Sequence, residues 1–197
     1  MLITISEKFH AWTTGWRVLI LFIAVGLMAG YIMPVAGGIL ALAANNSVLP
    51  LDLMFFYTPG TAFDMIEKYG PAGRDLYAKI LLTVDILYPV IYTLFLGLFL
   101  SWLFQRGFPR ESQMQRMNAV PVGGFLFDLL ENLGIVSMLS IYPSIPAVLA
   151  WVTMLISTVK WLFAIASLGL IFVGLARAAL NRFREATTIG DQALNAQ

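Results

Sequence analysis

Four long apolar segments dominate the pattern of hydrophobic and polar positions along the chain. Flanking charges and prolines place these segments at about 18–44, 76–104, 119–142 and 146–175. Each segment has the roughly 20 residues that an α-helix needs to cross about 30 Å of hydrocarbon. The pattern therefore predicts an all-α fold, in which four transmembrane helices form a single integral membrane domain over residues 1–197.

The first apolar segment contains residues that disturb a helix and a pair of residues that favours close helix packing. Pro34, Gly37 and Gly38 lie near its far end, so we expect the helix to kink or loosen there. Gly26 and Gly30 form a G-x-x-x-G pair, which lets another helix approach closely. We interpret this pair as packing within the bundle, with a homo-oligomer interface as the alternative.

The residues before the first segment have a pattern of their own. Positions 1–16 place Ile3, Phe9 and Trp12 among polar neighbours, which predicts a segment lying along the inner membrane surface. A cleaved signal peptide is a competing interpretation, because Ala41-Leu42-Ala43 has the small-x-small form of a cleavage site. The apolar stretch before that site is longer than the about 7–15 residues of a signal core, which favours a retained span.

The long loop between the first two segments predicts a short amphipathic helix at about 61–69. Thr61 and Asp64 have the spacing of a helix start, and Gly70-Pro71 ends the pattern. We favour a helix that lies in the headgroup layer over the alternative, a lid across a cavity of the bundle.

A glycine-flanked turn at 70–73 follows this short helix and aims Arg74 back at it. We therefore expect Arg74 to pair with an acidic residue of the loop, Asp64 or Glu67. The same loop contains Asn45-Asn46-Ser47, a weak match to a glycosylation sequon.

Composition narrows the function classes. Hydrophobic residues make up 59% of the chain and charged residues only 12%, about half the charged share of soluble domains. The sequence has no cysteine and one histidine, His10, which excludes disulfides, cysteine-ligated metals and multi-histidine sites. It also lacks a basic patch and any Walker or dinucleotide motif. We therefore expect no metal, no cofactor and no nucleic-acid partner.

Basic residues outside the apolar segments predict the orientation. Eight of the twelve Lys and Arg residues fall on one side of the predicted bundle, which should be cytoplasmic by the positive-inside rule. The other side has the loop at about 45–75, so both termini are predicted to be cytoplasmic. The eight residues are Lys8, Arg17, Arg106, Arg110, Arg116, Arg177, Arg182 and Arg184.

Polar side chains fall deep inside the apolar segments. A central Asp or Lys costs about 2.5–3.5 kcal/mol to insert, so these groups should face one another in the bundle interior. Two tyrosines share a helix face with the aspartate of the second segment. The predicted site is a mid-membrane pocket formed by Asp85, Tyr88, Tyr92, Asp128, Glu131, Asn132 and Lys160.

Depth along the helices predicts which of these groups meet. At about 1.5 Å per residue, Asp128 and Lys160 lie at one height and Asp85 and Glu131 at another, nearer the outside. We therefore expect Lys160 to approach Asp128 directly and Asp85 to face Glu131. Pro89 also leaves the carbonyl of Asp85 without its helical donor, so a second polar acceptor appears beside a buried carboxyl.

These ionisable groups have a structural and a functional interpretation. A buried lysine with one acidic partner can simply hold two helices in register. Three acids exceed what one lysine needs, and ionisable residues inside a membrane mark functional sites by default. This surplus is the strongest functional signal in the sequence, although it names no substrate.

Five short motifs lie along the chain from residue 50 onward: Tyr57-Thr58-Pro59, Tyr69-Gly70-Pro71-Ala72-Gly73-Arg74-Asp75-Leu76-Tyr77, Asp85-Ile86-Leu87-Tyr88-Pro89, Glu131-Asn132 and Lys160-Trp161. Together they resemble an uncharacterised group of small prokaryotic four-helix membrane proteins. The resemblance implies a protein of the bacterial plasma (inner) membrane. It brings no established activity, so no catalytic residue follows from it.

Three functions are compatible with this sequence. The first is a pocket that binds a membrane lipid or an amphiphilic or cationic small molecule, with acid–base chemistry on that molecule as an extension. The second is proton- or cation-coupled transport, which so small a chain would perform as a homo-oligomer. The third is a structural or assembly subunit without a ligand. A cavity open to one leaflet favours binding, and a cavity continuous with both faces favours transport.

Overall fold

The computed structural model describes residues 2–45 and 48–194, which are helical or loop and contain no strand. Two of the three residues of the sequon, Asn46 and Ser47, lie outside the described residues. The α-helices are α1 Leu2–Trp12, α2 Gly15–Leu27, α3 Met33–Ala43, α4 Pro59–Lys68, α5 Gly70–Leu82, α6 Val84–Gly107, α7 Val120–Ile141 and α8 Ala147–Leu194. A π-helical segment, Met28–Ile32, joins α2 to α3, and 3-10 turns lie at Leu51–Leu53 and Gln113–Ala119.

Four helical spans are long and apolar enough to cross a membrane, which confirms the predicted all-α membrane fold. They are Gly15–Ala43, Gly70–Gly107, Gln113–Ile141 and Ala147–Phe183, with mean hydropathies of 2.4, 1.9, 1.5 and 2.1. The chain is therefore that of an integral membrane protein. We call the end of the bundle that holds residues 2–14 and 107–119 the terminal end, and the end that holds 44–69 and 142–146 the loop end.

The third and fourth spans form the tightest pair in the bundle. A short turn at 142–146 joins them, so they run antiparallel. Gly134 lies directly against the side chain of Thr153, and Gly123 against the ring of Phe163, so an added Cβ at either glycine would overlap its neighbour. The second span packs against both helices. This close contact brings the polar residues of α7 and α8 together.

The first span lies at the edge of the bundle and packs mainly against the second. Only 6% of its apolar window is buried, compared with 39% for the second and third spans. A Cβ added at Gly26 or Gly30 would meet no atom within 4 Å, so our interpretation of this pair as packing within the bundle was wrong. Both glycines are exposed, and the buried residues of this span are Met28, Ala36 and Leu40.

The first span does loosen, in the π-helical segment Met28–Ile32, but about one turn before the expected position, since Pro34, Gly37 and Gly38 lie in the regular helix α3. Within it, the N–H of Met33 bonds to the carbonyl of Met28, five residues back, rather than four. Pro34 follows at once and has no N–H to donate, which explains why the regular ladder is interrupted there. The widened turn lies opposite the second span.

The loop after the first span folds into the bundle instead of staying at its surface. Leu51 and Asp52 are buried. The carbonyl of Met54 accepts a hydrogen bond from Ser157 Oγ at 3.0 Å, and that of Phe55 accepts one from Thr158 Oγ1 at 3.2 Å. Irregular backbone at this depth is stable only where protein groups satisfy it, and α8 supplies those groups.

The short helix α4 covers this loop. It begins two residues earlier than expected, because Thr58 is its cap, accepting from the N–H of Thr61, and Pro59 occupies its first turn. Ala62 and Ile66 on its apolar face are fully buried in the protein core. A helix that rests in the headgroup layer would turn this face to lipid, so the favoured interpretation was wrong and α4 lies across the bundle.

Arg74 does bind α4, but through a different group from the one predicted. Its Nη1 donates to the carbonyl of Ile66 at 3.3 Å, and its guanidinium lies 4.0 Å from the centre of the Tyr142 ring. The expected pairing with Asp64 or Glu67 was therefore wrong. The last carbonyls of a helix lack internal donors and carry partial negative charge, which makes them natural partners for an arginine.

Helix α1 is attached to the terminal end through side-chain hydrogen bonds. Ser6 Oγ donates to the carbonyl of Gln115 at 3.3 Å, and Asn118 Nδ2 donates to the carbonyl of Ser6 at 3.1 Å. Leu2 and Trp12 are more than half exposed. The helix thus has one face fixed to the bundle and another that is apolar and open, as a segment lying along a membrane surface requires.

Candidate functional site: a carboxylate cluster beside a cavity

Lys160 is the centre of a buried polar cluster. Its Nζ lies 3.4 Å from Asp128 Oδ1, forms an ion pair with Glu131, and donates to the carbonyl of Asp52 at 3.0 Å. The predicted approach of Lys160 to Asp128 is confirmed. The two separate levels were wrong, because Glu131 joins the same lysine. Asp128 and Glu131 are three residues apart on one helix face, and side chains on α8 tilt towards the loop end, so one ammonium reaches both.

Asp85 does not face Glu131 as we expected. Its side chain is buried at the start of α6 and its Oδ2 has no hydrogen-bond partner among the described residues. Similar height along two helices does not determine the direction in which a side chain points, and the ammonium of Lys160 holds Glu131 elsewhere.

Asn132 satisfies the carbonyl that Pro89 leaves open. Its Nδ2 donates to the carbonyl of Asp85 at 3.2 Å, with a longer contact of 3.5 Å to that of Leu81. Pro89 lies four residues after Asp85 and cannot donate. The predicted free acceptor beside Asp85 is thus confirmed, and it ties α6 to α7.

The two tyrosines of the predicted site lie on the α7 side of α6. Tyr92 Oη donates to Asp128 Oδ2 at 2.9 Å, so Asp128 has a phenol as well as the lysine as partners. Tyr88 packs edge-to-face on Tyr92, with ring centres 5.4 Å apart. Tyr88 therefore supports the position of Tyr92 and makes no hydrogen bond among the described groups.

Asp52 is part of the cluster and was missed by the sequence analysis. Its carboxylate accepts a hydrogen bond from Tyr77 Oη, and its own backbone N–H lies 3.2 Å from the same oxygen. Asp52 ends a charge-free run and stands between two leucines, an unusual position for an exposed loop acid. That local pattern, together with Tyr77 in the second motif, was the available signal.

Two further tyrosines enclose the cluster from the loop end. Tyr69 Oη donates to the carbonyl of Leu49 at 2.7 Å, and its ring packs edge-to-face on Tyr77. Tyr57 Oη is buried without a hydrogen-bond partner among the described residues. Burial raises the pKa of both the Tyr57 and Tyr69 phenols well above the ordinary value, and nearby carboxylates raise it further. Both side chains therefore remain neutral donors.

The cluster contains more acids than its single lysine can balance. Asp52, Asp85, Asp128 and Glu131 are each less than 8% exposed, and Lys160 is the one basic side chain that the described residues place among them. The described residues contain no group of three or more Asp, Glu, His or Cys with the geometry of a metal site. The polar groups instead meet a cavity.

A cavity of about 380 Å³ lies between the first two spans and the buried loop. Residues of α3, together with Ala29 of the widened turn, form one wall, and residues of α5 and the start of α6 form the other. Asp52, Tyr77 and Asp85 supply its polar groups. The remaining wall is largely apolar and includes Ala29, Met33, Pro34, Leu40, Leu53 and Ile80. Of the seven predicted site residues, Asp85 alone lines this cavity, and the other six form or support the polar core behind it.

The cavity lies nearer the loop end than the mid-membrane position we expected. The second span is broken at Thr83, and α5 before the break exposes an ion pair between Lys79 and Asp75 at 2.6 Å. Exposed charges do not face hydrocarbon, so Lys79 and the exposed Arg106 bracket the apolar zone. At about 1.5 Å per residue, Asp85 is about 11 Å from the midpoint between them, on the loop side.

Comparison of the chain with protein-family models, with curated proteins and with solved structures gives no match. The similarity to small prokaryotic membrane proteins, based on the five motifs, therefore stays a prediction. The function is argued below from the geometry of the site alone.

Proposed function

We propose that this protein binds an amphiphilic cation in the cavity between its first two spans. The cavity itself carries this proposal: apolar walls enclose about 380 Å³ and two buried aspartates, Asp52 and Asp85, lie at its polar side. This volume is within the about 300–1,000 Å³ of typical small-molecule sites. The apolar body of the ligand would pack on the walls, and its cationic group would face the aspartates.

Charge balance favours a cationic ligand over a neutral or anionic one. The ammonium of Lys160 already contacts Asp128, Glu131 and the backbone of Asp52, so it is not available to Asp85. A buried carboxylate without a partner is costly, and a bound cation would offset that cost. An anionic ligand would add to the surplus of negative charge.

The position of the first span favours entry of the ligand from the lipid phase. Few residues of this span are buried, and its residues between Ala29 and Leu40 form one wall of the cavity. An amphiphile dissolved in the bilayer would therefore reach the site between the first and second spans without crossing the bundle. Residues on either side of the break at Thr83 form the facing wall.

Transport of a cation is the second candidate, and the broken helices favour it. Interrupted helices frequently flank the substrate site in transporters. Here Ala29 of the interruption at Met28–Ile32 lines the cavity, as does Asp85, two residues after the interruption at Thr83. A transporter needs a path from one face of the membrane to the other. The second cavity, at the terminal end, shares no lining residue with this one, so the two cavities do not form such a path. We therefore keep binding from one leaflet as the first candidate.

The proposal includes the membrane and the orientation. We place the protein in a bacterial plasma membrane with both termini in the cytoplasm, as the positive-inside rule predicts. The exposed arginines of the terminal end, such as Arg106, Arg110 and Arg116, support this placement. The cavity then belongs to the outer leaflet, where it would meet amphiphiles that arrive from outside the cell.

A pair of charge isosteres tests the proposal. An octyl trimethylammonium ion and its neutral tert-butyl analogue have nearly the same shape, so their affinities for the full chain in nanodiscs, measured by calorimetry, isolate the effect of charge. We expect the cation to bind more tightly. Asp85→Asn should weaken the cation by about 30-fold or more, the lower range for truncating one member of a buried charge pair, and leave the neutral analogue unchanged.

Asp75→Asn is the matched control for this experiment. Asp75 lies on the adjoining helix, is exposed, and loses the same charge when it is replaced. Its effect on cation binding should be less than about twofold, since exposed charges are screened. Equal affinity of the wild-type protein for cation and analogue, or equal effects of Asp85→Asn and Asp75→Asn, would contradict the proposal.

A further inference from the structure

Another cavity, of about 740 Å³, lies at the terminal end of the bundle. It is formed where α1 crosses the last turn of α6 and the chain that leads into Gln113–Ala119. Its lining is polar and basic: His10, Ala11, Gln105, Arg106, Arg110 and Gln115. None of these residues belongs to the carboxylate cluster.

Arg106 is held in place on one side of this cavity. Its Nη1 donates to the carbonyl of Trp102 at 2.9 Å, and its guanidinium lies 3.9 Å from the centre of the Trp102 ring. Asn181 Nδ2 from α8 donates to the carbonyl of Arg106 at 3.2 Å. The side chain is therefore positioned before any ligand arrives, while its remaining N–H groups have no partner among the described residues.

Arg110 lies on the other side and is exposed. The structure gives it no hydrogen bond or ion pair with any described residue. No acidic residue lines the cavity between the two arginines. Two arginines thus line the same cavity, and no carboxylate lines it with them.

His10 is held in place at this cavity. Its Nε2 lies 2.9 Å from the carbonyl of Gln115, and its Nδ1 lies 3.2 Å from Gln105 Nε2. Both ring nitrogens are already used, and the positive charge of the cavity comes from Arg106 and Arg110.

Exposed tryptophans place the mouth of this cavity at the level of lipid headgroups. Trp12 and Trp16 are 63% and 69% exposed, and Trp102 lies beside Gly15 and under the guanidinium of Arg106. Tryptophan is enriched at the boundary between hydrocarbon and headgroups. Leu2 and Ile3 of α1 are also exposed, as expected for a helix that lies at a membrane surface.

We propose that the cavity at the terminal end binds the phosphate group of an anionic phosphate ester, with Arg106 and Arg110 as its ligands. The planar guanidinium group presents a fork of N–H donors that can bind two phosphate oxygens at once, whereas an ammonium group acts as a point charge. Basic pockets beside membrane helices on the cytoplasmic side suit anionic lipid headgroups. The location at the headgroup level makes a lipid the expected source. This site is independent of the cation site proposed above.

Native mass spectrometry of the full chain in neutral detergent tests this site with three probes. They are a short-chain phosphatidylglycerol, phosphatidylcholine with the same chains, and inorganic phosphate. We expect phosphatidylglycerol to bind most tightly. Arg110→Gln should weaken it by about fivefold, and Arg106→Gln with Arg110→Gln by about 25-fold, as expected if each arginine near the membrane surface contributes independently.

Arg116→Gln with Arg182→Gln is the control, because it removes the same charge from exposed positions outside the cavity lining. It should change the affinity by less than twofold. An equal loss in this control, equal binding of phosphatidylcholine, or unchanged binding in Arg110→Gln would overturn the proposal. Arg110 makes no described contact, so its replacement does not threaten the fold.

Competition by inorganic phosphate distinguishes the two sources of the ligand. In one outcome, millimolar phosphate displaces phosphatidylglycerol from the wild-type protein but does not displace the lipid that still binds to the double variant. The phosphate group alone is then recognised, and a soluble phosphate ester also fits the site. If phosphate does not compete, the site requires the acyl chains and the ligand is a lipid. Both results are compatible with a phosphate site at the two arginines. The arginine variants and their control decide whether that site exists.

Discussion

Replacing Lys160 by methionine should destabilise the protein strongly. The Lys160 side chain is only 12% exposed, and its ammonium contacts three groups, Asp128, Glu131 and the carbonyl of Asp52. Methionine has nearly the same length and fills the same space, so the change removes the charge with little loss of packing. Removing one member of a buried ion pair typically costs about 3–5 kcal/mol, because it leaves the other charge without compensation.

The same cost can be expressed as a change in melting temperature. For a chain of this size, 1 kcal/mol shifts the midpoint of unfolding by about 2–4 °C, so Lys160→Met should lower it by about 6–20 °C. The measurement is the midpoint of heat unfolding in one detergent at one scan rate, since membrane proteins commonly unfold irreversibly. Lys79→Met is the control. Lys79 forms an ion pair with Asp75 at 2.6 Å, but both side chains are about two-thirds exposed, so the expected effect is below about 1 kcal/mol.

A second change separates the roles of the two acids. Glu131 is completely buried, and its Oε1 has no hydrogen-bond partner among the described residues, so it depends on Lys160. Asp128 keeps the hydrogen bond from Tyr92 at 2.9 Å when the lysine is removed. In the Lys160→Met background, Glu131→Gln should therefore restore more than half of the lost stability, and Asp128→Asn should restore less.

Two results would refute this reasoning. Equal shifts for Lys160→Met and Lys79→Met would mean that removing Lys160 leaves no uncompensated charge in the bundle. Equal rescue by Glu131→Gln and Asp128→Asn would mean that the hydrogen bond from Tyr92 does not compensate Asp128.

Three further predictions concern the topology, the helix packing and the buried phenol. Cysteines introduced at Ser144 and Glu111, both exposed in a chain without native cysteine, should be labelled from opposite sides of the membrane, and labelling from one side would contradict the four-span topology. Gly134→Ala should lower the melting midpoint, because its Cβ would lie 3.1 Å from Thr153 Cβ and nearer still to the other Thr153 side-chain atoms. Thr153→Ala in the same chain should restore part of it, because two of the three close atoms are removed and the Cβ at 3.1 Å remains. Gly26→Ala, with open space around it, should not lower the midpoint. Tyr57→Phe should leave the stability unchanged or raise it by about 1 kcal/mol, since it removes a buried hydroxyl without a partner, and a loss above 1 kcal/mol by the same melting assay would show that this hydroxyl is satisfied.

The parts of the structure that follow local rules could be predicted from the sequence. Long apolar runs have few alternatives to a transmembrane helix, so the four spans were recognisable. The cost of burying charge predicts that Lys160 meets an acid on the adjoining helix, and the chemistry of proline predicts the free carbonyl of Asp85. The start of α4 was also readable, since Thr58-Pro59 is a better cap and first turn than Thr61.

The parts that depend on the path of the loop could not be predicted in this way. Asp52 joins the cluster because the segment around it turns into the bundle and bonds to α8, which no periodicity reveals. The outward direction of Gly26 and Gly30 was hidden for a similar reason: a small-residue pair indicates close approach but does not say which side of the helix has a neighbour. The separation of Asp85 from Glu131 depends on helix rotation, which height along the axis leaves open.

The contacts of the buried loop determine when, during synthesis, the protein can complete its fold. Its contacts join residues 103 to 108 positions apart, between Asp52 or Met54 and the fourth span. At about 5–20 residues per second, the ribosome needs about 5–20 s to make that intervening chain. Late in this interval, Asp52, Asp85 and Asp128 have been made but Lys160 has not. The nascent protein therefore passes through a stage that carries its acids without their counter-ion, and the arrival of the fourth span completes both the charge balance and the fold.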